Sequence, residues 1–388
     1  MPFADPTRFG IPLTGEQIGI RDAMLRFGAE RLAAGAAERD CIHAFPTEEI
    51  AELAAMGGMA MKVHEAAGGP GLDATGYALA IEAIARHDAS VAVVMVASNL
   101  AASILSACAN EDQIARFVRP LAEGQKGAAA FALTEPHAGS DAAAIKTTAR
   151  RNGDGWVLNG AKQWITGAAG AEIFVVFAKT PEEGDRAVSC FVVEKGAQGF
   201  SLGRLEDKMG LRSSGTAQLF FEDCRVPQAN LLGQPGQGMR IALGAISPSR
   251  VAIAAQSIGI AERAFELGLA YAKERTAFGQ PIGAFQNSRF VLADCRTQLD
   301  QAWLLMLRAA ALIDRGAEIR GEASMAKLAA SETCGRVVDA MLQLHGGNGY
   351  SREYEIERLY RDARVMRIYE GTSEIQREVI ARDVMGAG

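Results

Sequence analysis

The stretch GAAAFALTEPHAGSD, residues 127–141, marks the place where the helical pattern of the chain gives way to a β pattern. Its apolar half predicts a strand, and its second half predicts a turn that exposes backbone amides, two hydroxyls and two carboxylates within a few residues. A turn of that composition can bind a polar planar ring and a phosphate. The alternative is a well-made turn that binds nothing.

On the two sides of this boundary the apolar residues follow different spacings. Residues 14–126 carry apolar side chains three and four positions apart, and Gly/Pro clusters such as 68–71 interrupt them, which predicts several helices. Residues 127–235 form short β-branched and aromatic runs, with a hairpin turn at Asn152–Gly155. Long amphipathic patterns return from Gly238 onward.

These patterns predict an α+β fold of three domains: an N-terminal helical domain (1–126), a middle antiparallel β domain (127–235) and a C-terminal four-helix bundle (236–388). The three long helices predicted for the bundle are Met239–Lys273, Phe285–Arg315 and Glu322–Leu344, and a shorter helix follows them.

Composition argues against several functional classes. A net charge of -6 gives the chain no general affinity for nucleic acid or for anionic membranes. The six cysteines include no CxxC pair, which predicts a reducing compartment, and the five histidines show no metal-ligand spacing, which predicts no metal site. The start MPFADPTRFG lacks a basic region followed by an apolar core, so a cytoplasmic protein is expected.

One uncharged stretch, Ala89–Ala109, is as long as a membrane-spanning helix. It contains several serines and an asparagine, most of its other side chains are small, and no basic residues flank it closely. We therefore predict a buried helix of a soluble bundle and no membrane span.

The chain has neither a G-x-G-x-x-G loop after a strand nor a G-x-x-x-x-G-K-[ST] loop, so any flavin must be held in another way. The segment KQWITG (162–167) is predicted to lie on a strand, where alternation places Trp164 and Thr166 on one face. That pair offers an aromatic plane for stacking and a hydroxyl for a ring nitrogen. The alternative is an ordinary half-buried strand.

Two segments at predicted helix ends could contact a ligand. In ERTAFGQP (274–281), Arg275 is either a charge that caps the helix or a donor to a pyrophosphate. In QLHGGNGY (343–350) three glycines lie within four positions, which indicates close approach of another group to the backbone. His345 in this segment is predicted to be structural rather than catalytic.

The segment YEGTSEIQ (369–376) precedes the last predicted helix. Ser373 and Gln376 fit a capping box, and the helix N-terminus they mark is a ready site for an anion. Glu370 lies just outside this helix. Taken alone it is either a catalytic acid or an ordinary exposed loop acid.

In this order the five segments resemble the acyl-CoA dehydrogenases, and the resemblance covers nearly the whole chain. The most specific motifs are ALTEPHAGSD (132–141) and RIYEGTSEIQR (367–377). The resemblance implies the same three-domain fold, a homotetramer built as a dimer of dimers, and FAD bound at a dimer interface. It also implies an acyl-CoA substrate and electron-transferring flavoprotein as the electron acceptor.

The resemblance further implies roles for individual residues. Contacts to the FAD of the same subunit fall to Phe131, Leu133, Thr134, Trp164, Thr166, Thr372 and Glu374. Contacts to the FAD of the neighbouring subunit fall to Arg275, Phe278, Gln286, Gln343, Gly346 and Gly347. Contacts to the substrate fall to Ser140, Arg250, Tyr369 and Gly371.

Glu370 matches the catalytic base of the family. Some members place the base immediately before the arginine of the first bundle helix, and here that position is Ser249, which cannot accept the proton. Ser247 stands where the common pattern has an acid, so recognition of the CoA adenine is left open.

The implied reaction is α,β-dehydrogenation to the trans-2-enoyl-CoA. Glu370 would take the α-proton, flavin N5 would accept the β-hydride, and the backbone N–H of Glu370 with a ribityl hydroxyl would stabilise the developing enolate. Apolar surroundings would raise the pKa of the base.

Three alternatives are an acyl-CoA oxidase-like enzyme, a flavin monooxygenase on the same fold, and a non-catalytic partner subunit of a heteromeric complex. Chain length disfavours the first, and the intact Glu370 segment disfavours the other two. The helix around Val91–Asn99 is expected to line the acyl pocket. Because it carries no arginine or lysine, a short, branched or medium saturated acyl group is expected rather than a dicarboxylic one.

Overall fold

The computed structural model describes residues 5–184 and 186–386, and its elements occur in the order helical, β, helical. Residues 1–4 of the predicted first domain and residues 387–388 of the predicted third domain lie outside the described residues. Residues 1–4 are part of the N-terminal sequence from which a cytoplasmic location was predicted. The α+β organisation predicted from the sequence is confirmed.

The N-terminal part is built from helices that begin at side-chain caps. Thr14 and Gln17 form a capping box at the start of α1, and the Asp88 carboxylate accepts two amide N–H groups at the start of α5. Its α-helices are α1 (Gly15–Phe27), α2 (Ala36–Ile42), α3 (Thr47–Ala55), α4 (Ala74–Ala85), α5 (Ala89–Cys108), α6 (Glu111–Gln113) and α7 (Arg119–Ala122), with a π-helical turn at Ile114–Val118.

The middle part is one eight-stranded sheet. Its strands are β1 (Ala128–Ala132), β2 (Thr148–Asn152), β3 (Gly155–Ile165), β4 (Ala171–Lys179), β5 (Val188–Glu194), β6 (Phe200–Leu205), β7 (Ala217–Pro227) and β8 (Leu231–Leu232). The strand order is β6-β7-β3-β2-β4-β5-β8, and β1 pairs with β4. Most neighbours are antiparallel, as predicted, but β1 and β2 each run parallel to β4. The parallel β1 arises because the chain enters the sheet from the helical part rather than from a hairpin.

The C-terminal part contains the long helices within two residues of their predicted bounds. They are α8 (Gly238–Glu274), α9 (Gln286–Asp314) and α10 (Arg320–His345), followed by α11 (Glu355–Ala363) and α12 (Ser373–Val384). A small hairpin of β9 (Thr276–Ala277) and β10 (Gln280–Pro281) joins α8 to α9. Helix α10 packs against α8, α9 and α12, so it is the central member of the bundle.

Helix α5 lies inside the protein and joins its parts. Two helices, α5 and α8, are long and apolar enough to cross a membrane by length and composition, and 72% and 61% of their apolar windows are buried within the protein. Ser98 of α5 donates to the Met59 carbonyl at 2.9 Å and accepts the Ala129 amide of β1 at 3.1 Å. Ser98 of this uncharged stretch therefore joins α5 to β1 inside the fold, where the sequence predicted a buried helix.

A buried cluster of charges holds α4 against α1 and the bundle. Glu82 of α4 is fully buried and accepts from Arg21 at 3.0 Å and from Arg86. Arg86 also contacts Glu266 at 2.8 Å and lies 3.9 Å from the buried Glu262 of α8. Buried charges are tolerated only when paired in this way.

We expect Glu82→Gln to lower the free energy of unfolding by about 3–5 kcal/mol, because it leaves two buried guanidinium groups without their shared carboxylate. The matched control is Glu266→Gln, which removes another carboxylate from Arg86 where the glutamate is 24% exposed. That control should cost about 1 kcal/mol or less. Urea unfolding of both variants tests the difference, and equal costs would contradict it.

Candidate active site

The candidate base, Glu370, lies in a strained turn between α11 and α12. Its φ is 52°, in the left-handed region that side chains other than glycine rarely adopt, and Gly371 follows with φ 92°. Gln376 of α12 donates to the carbonyls of both residues, at 3.1 Å and 2.9 Å. Lys327 of α10 donates to the Gly371 carbonyl at 2.8 Å. Strain of this kind persists only where surrounding contacts hold it.

The Glu370 side chain is half-buried, and one oxygen of its carboxyl group lacks a hydrogen-bond partner among the described residues. Its Oε2 atom is inaccessible and accepts no hydrogen bond from the described residues. Burial raises the pKa of Glu370 to about 7, against the opposing effect of the nearby Arg250 and Lys327 cations. A carboxyl group poised at neutral pH can take a proton from a weak carbon acid.

Arg250, predicted to contact CoA, lies close enough to Glu370 to act on its charge. Its guanidinium is 8% exposed, donates to Ser324 Oγ at 2.9 Å, and has a buried Nε with no partner among the described residues. Burial lowers the pKa of Arg250, and Glu370 acts in the opposite direction. Ser249 beside it is buried, and its hydroxyl has no partner in the described part of the chain.

Tyr369 links the Glu370 turn to two buried helices. Its hydroxyl donates to Gln256 Oε1 of α8 at 2.6 Å, and Gln256 Nε2 donates to the Ala89 carbonyl at the start of α5 at 2.9 Å. Tyr369 also packs against the core cluster that contains Tyr77 of α4. Burial raises the pKa of the Tyr77 hydroxyl, and the Glu370 charge adds to that rise. The turn is therefore enclosed by apolar and uncharged groups as well as by the two cations.

The predicted acyl-pocket segment, Val91–Asn99, belongs to α5, which packs against β1 of the sheet and against α8. Every residue in it except Ala97 is buried. Asn99 is a structural residue, because its amide bonds the Met61 N–H at 2.6 Å and the Gly58 and Met95 carbonyls at 2.9 Å. Val94 faces the turn after β3, where a Cβ on Gly167 would lie 3.5 Å from its Cγ1.

The loop after β1 is held by a buried ion pair. Lys162 is fully buried, and its ammonium donates to Glu135 at 2.8 Å and to the Leu133 carbonyl at 3.0 Å. Glu135 also accepts the backbone amides of Lys146 and Thr147 at 2.6 Å and 2.9 Å. This carboxylate therefore anchors the loop and is not free to bind a ligand.

The residues predicted to hold a planar ring flank this anchored loop. Thr134 follows the buried Leu133, and its carbonyl accepts the Gln163 amide at 2.9 Å. Phe131 is half-buried and packs on Phe177 with ring centres 5.2 Å apart. The structure thus brings the ALTEP and KQWITG segments together.

The prediction that a regular strand aligns Trp164 and Thr166 is wrong. Strand β3 ends at Ile165, its register with β7 shifts between Lys162 and Ile165, and Trp164 has a left-handed φ of 62°. Alternation fails because the backbone bulges there. Trp164 is 53% exposed, which is unusual for an indole beside a sheet. An exposed, strained aromatic residue next to an anchored polar loop suits stacking on a flat ring.

A second set of predicted cofactor residues lies together at one end of the bundle. Arg275 ends α8, and Phe278 at the tip of the β9–β10 hairpin is 96% exposed. The end of α10 is tied to the same region, since His345 stacks on Tyr271 at 4.3 Å. The remaining members of the set, all exposed, are Gln286, Gln343, Gly346 and Gly347. No contact within the described ranges joins this set to Glu370 or to Thr134.

The glycines that follow α10 differ in whether packing within the chain requires them. A Cβ on Gly349 would lie 2.6 Å from the Leu342 carbonyl oxygen, so this glycine is required by packing within the chain. Gly346 and Gly347 face open space among the described residues. His345 Nδ1 donates to the Met341 carbonyl at 2.7 Å and the side chain is buried, consistent with a structural role.

The start of α12 differs from the predicted capping box. Thr372, not Ser373, is the N-cap and accepts the Ile375 amide at 3.3 Å. The Ser373 hydroxyl instead donates to Glu332 at 2.7 Å, and Gln376 serves the Glu370 turn. The capping-box prediction is therefore wrong by one residue. Glu374 of α12 and Ser140 in the loop after β1 are exposed.

Sequence reasoning missed Lys327, Lys162 and Gln256. Each is polar and fully buried. A signal existed for Lys327, because its helical neighbours Ala323, Ala326 and Ala330 form an apolar stripe that a lysine interrupts. Among residues 5–184 and 186–386 no group of three or more potential ligands could hold a metal ion.

Sequence profiles of three family domains match the chain. They are "Acyl-CoA dehydrogenase, N-terminal domain" at residues 14–125, "middle domain" at 130–224 and "C-terminal domain" at 236–385. The mitochondrial short-chain specific acyl-CoA dehydrogenase of Rattus norvegicus is 44% identical over 364 residues, covering 93% of this chain and 88% of the relative. An acyl-CoA dehydrogenase of Bacillus subtilis is 41% identical over 376 residues, covering 96% and 99%.

Solved structures agree with the sequence relatives. Butyryl-CoA dehydrogenase from Megasphaera elsdenii superposes with a TM-score of 0.94 and 38% identity, covering 97% of this chain and 99% of that one. A chain of a structure of the electron transferring flavoprotein of Acidaminococcus fermentans gives 0.94 and 39%, with the same coverage. PigA with FAD and proline gives 0.92 and 31%, covering 97% and 100%. The chain belongs to the acyl-CoA dehydrogenase family and is a flavoprotein oxidoreductase.

Proposed function

We propose that this acyl-CoA dehydrogenase oxidises a short or medium saturated acyl-CoA to the trans-2-enoyl-CoA, with Glu370 as the base that takes the α-proton. The observation that carries the proposal is the buried Glu370 Oε2, which accepts no hydrogen bond within the described ranges. An oxygen kept bare in this way is ready to accept a proton from a substrate that excludes the remaining water.

The strained turn supports a second role for Glu370. In a left-handed turn its amide N–H has no backbone acceptor among the described residues. It can therefore donate to the thioester oxygen while the carboxylate acts on the adjacent carbon. Stabilising the charge that develops on this oxygen lowers the barrier to proton loss.

FAD fits the residues around the anchored loop. Trp164 offers a half-exposed indole, Thr134 and Thr166 offer hydroxyls, and the buried pair of Lys162 and Glu135 fixes the backbone between them. FAD supplies the hydride acceptor of the reaction when it is bound. Support comes from relatives in the family, one of which is described with FAD.

The predicted acyl-pocket segment of α5 carries no arginine or lysine, so an acyl group without a second carboxylate is expected. A short acyl group is supported by the short-chain and butyryl-CoA dehydrogenases, which are 44% and 38% identical to this chain. A glutaryl-coenzyme A dehydrogenase is less similar, at 31% identity. Electron-transferring flavoprotein is the proposed acceptor, supported by the Acidaminococcus fermentans structure. An acyl-CoA oxidase-like enzyme is distinguished by rapid reoxidation of its reduced flavin in air, and a non-catalytic subunit by failure to bleach with any acyl-CoA.

A homotetramer, built as a dimer of dimers, is the proposed assembly. It would give a partner to the exposed end of the bundle, where Arg275, Phe278 and the open Gly347 lie together. In that assembly these residues would reach the FAD of the neighbouring subunit.

Glu370→Gln should reduce the rate of flavin reduction by butyryl-CoA by about 10²–10⁴-fold or more, because the amide cannot take the proton. FAD content and butyryl-CoA binding should stay near wild type, since the amide keeps the size and polarity of the side chain. Stopped-flow absorbance of oxidised flavin measures the rate. Bleaching at the wild-type rate would place the base elsewhere.

The rate should also depend on pH with a defined sign. Since the pKa of Glu370 is about 7, the fraction of ionised base rises with pH through that value. We expect kcat/KM for butyryl-CoA to increase from pH 6 to pH 8 with a midpoint near about 7, because kcat/KM reports ionisations of the free enzyme. A midpoint near the ordinary glutamate value of 4.5 would show that the base is exposed.

Lys162→Met should weaken FAD binding by at least about tenfold, because it leaves Glu135 buried without its cation and releases the loop. Lys146→Met is the matched control. It makes the same chemical change on an exposed side chain and keeps the backbone amide that bonds Glu135. Flavin fluorescence titration of the apoprotein measures both affinities, and equal affinities would show that the ion pair does not shape the FAD site.

A further inference from the structure

Lys327 is a fully buried lysine on the inner face of α10. Its helical neighbours Ala323, Ala326 and Ala330 are apolar and buried. Burying an ammonium group costs free energy unless charged or polar partners compensate it. The Lys327 ammonium donates a hydrogen bond to the Gly371 carbonyl at 2.8 Å. The partner of this buried cation is therefore the backbone of the turn that carries the base.

The turn has few contacts that hold its left-handed backbone. Two side chains donate to its carbonyl groups: Gln376, which is neutral, and Lys327, which is charged. Both converge on Gly371, and the strain lies at φ 52° for Glu370 and φ 92° for Gly371. Two donors on the Gly371 carbonyl restrict rotation of the peptide that follows Gly371, and Gln376 holds the peptide that precedes it.

Besides the neutral Tyr369 next to it, three side chains from neighbouring helices lie near the Glu370 carboxyl group, and two of them are cations. Arg250 approaches from α8, Lys327 from α10, and the neutral Tyr77 hydroxyl from α4. Burial lowers the pKa of Lys327 to about 8, and its other charged neighbours are Arg250, Glu332 and Glu374. At neutral pH the lysine is still mostly a cation.

We infer that Lys327 is a positioning residue for the dehydrogenation, which holds the Gly371 carbonyl so that the strained turn presents Glu370 and which keeps a positive charge beside the carboxylate. The inference rests on the proposed role of Glu370 as the base. Lys327 acts through Glu370 and is not assigned a contact with the reacting atoms.

The two effects of Lys327 can be separated by substitution. Lys327→Met removes both the hydrogen bond and the charge, and Lys327→Gln removes the charge while keeping a donor. Gln376→Met removes a neutral donor from the same carbonyls without changing charge. Lys327→Arg keeps the charge and provides the conservative rescue.

The first measurement is the pH dependence of kcat/KM for butyryl-CoA, using FAD-loaded enzyme. Loss of a nearby cation disfavours the carboxylate, so Lys327→Met and Lys327→Gln should move the midpoint upward by about one pH unit and lower the rate at pH 7 by about fivefold. Gln376→Met should lower the limiting rate with no shift of the midpoint. Lys327→Arg should restore most of the wild-type midpoint.

The second measurement does not depend on turnover. Infrared difference spectroscopy titrates the Glu370 carboxyl group directly, with Glu370→Gln as the blank, and should show the same upward shift in Lys327→Met and Lys327→Gln.

An unchanged midpoint in both measurements would overturn the inference and leave Lys327 a purely structural residue, even if stability falls. If Lys327→Met does not fold, Lys327→Gln carries the same test. Failure of the proposed function is recognised separately, because Glu370→Gln would then bleach at the wild-type rate whatever the Lys327 variants do.

Discussion

The fold depends on the burial of Glu82 between cations that come from different helices. This fully buried carboxylate accepts from Arg21 of α1 and Arg86 of α4, and Arg86 continues to Glu262 and Glu266 of α8. The helices are also close, since a Cβ on Gly259 would lie 2.4 Å from the Glu82 carbonyl oxygen. Because α4 is fixed on α8, Tyr77 of α4 lies near the turn that carries Glu370. Ion pairs outside the candidate site thus hold the helices that surround it.

Neighbouring cations offset part of the free-energy cost of burying the ionised Glu370 carboxylate. The pKa of Glu370 rises from 4.5 to about 7, which means that the folded protein binds this proton more tightly than the unfolded chain. The stability that this group contributes is present below pH 4.5 and is lost as pH rises through about 7, at a cost of about 3 kcal/mol. Arg250 and Lys327 reduce that cost without abolishing it. Full compensation would lower the pKa further and leave a weaker base.

Much of this arrangement could be predicted from the sequence, and the failures have physical causes. Hydrophobic periodicity located the long helices α8, α9 and α10 within two residues. It failed at Trp164, because a bulge with φ 62° breaks the alternation on which the prediction rested. It placed the α12 cap one residue late, since both Thr372 and Ser373 are good caps and only the tertiary contact of Ser373 with Glu332 decides between them. Lys327 was not predicted because its role depends on the backbone conformation of the Glu370 turn, which lies 43 positions later in the chain.

Buried carboxyl groups also join separate segments at two other places in the structure. Glu135 joins the loop after β1 to β3 through Lys162, and Asp362 of α11 accepts the Leu211 amide at 2.6 Å to join the bundle to the sheet. Both carboxyl groups are buried, yet burial raises the pKa of Asp362 to about 7 whereas the Lys162 cation lowers that of Glu135. The buried Lys162 cation thus accounts for the opposite directions of the two pKa shifts. Glu370 resembles Asp362, because burial raises its pKa to about 7 although two cations lie near it, and its Oε2 accepts no hydrogen bond among the described residues.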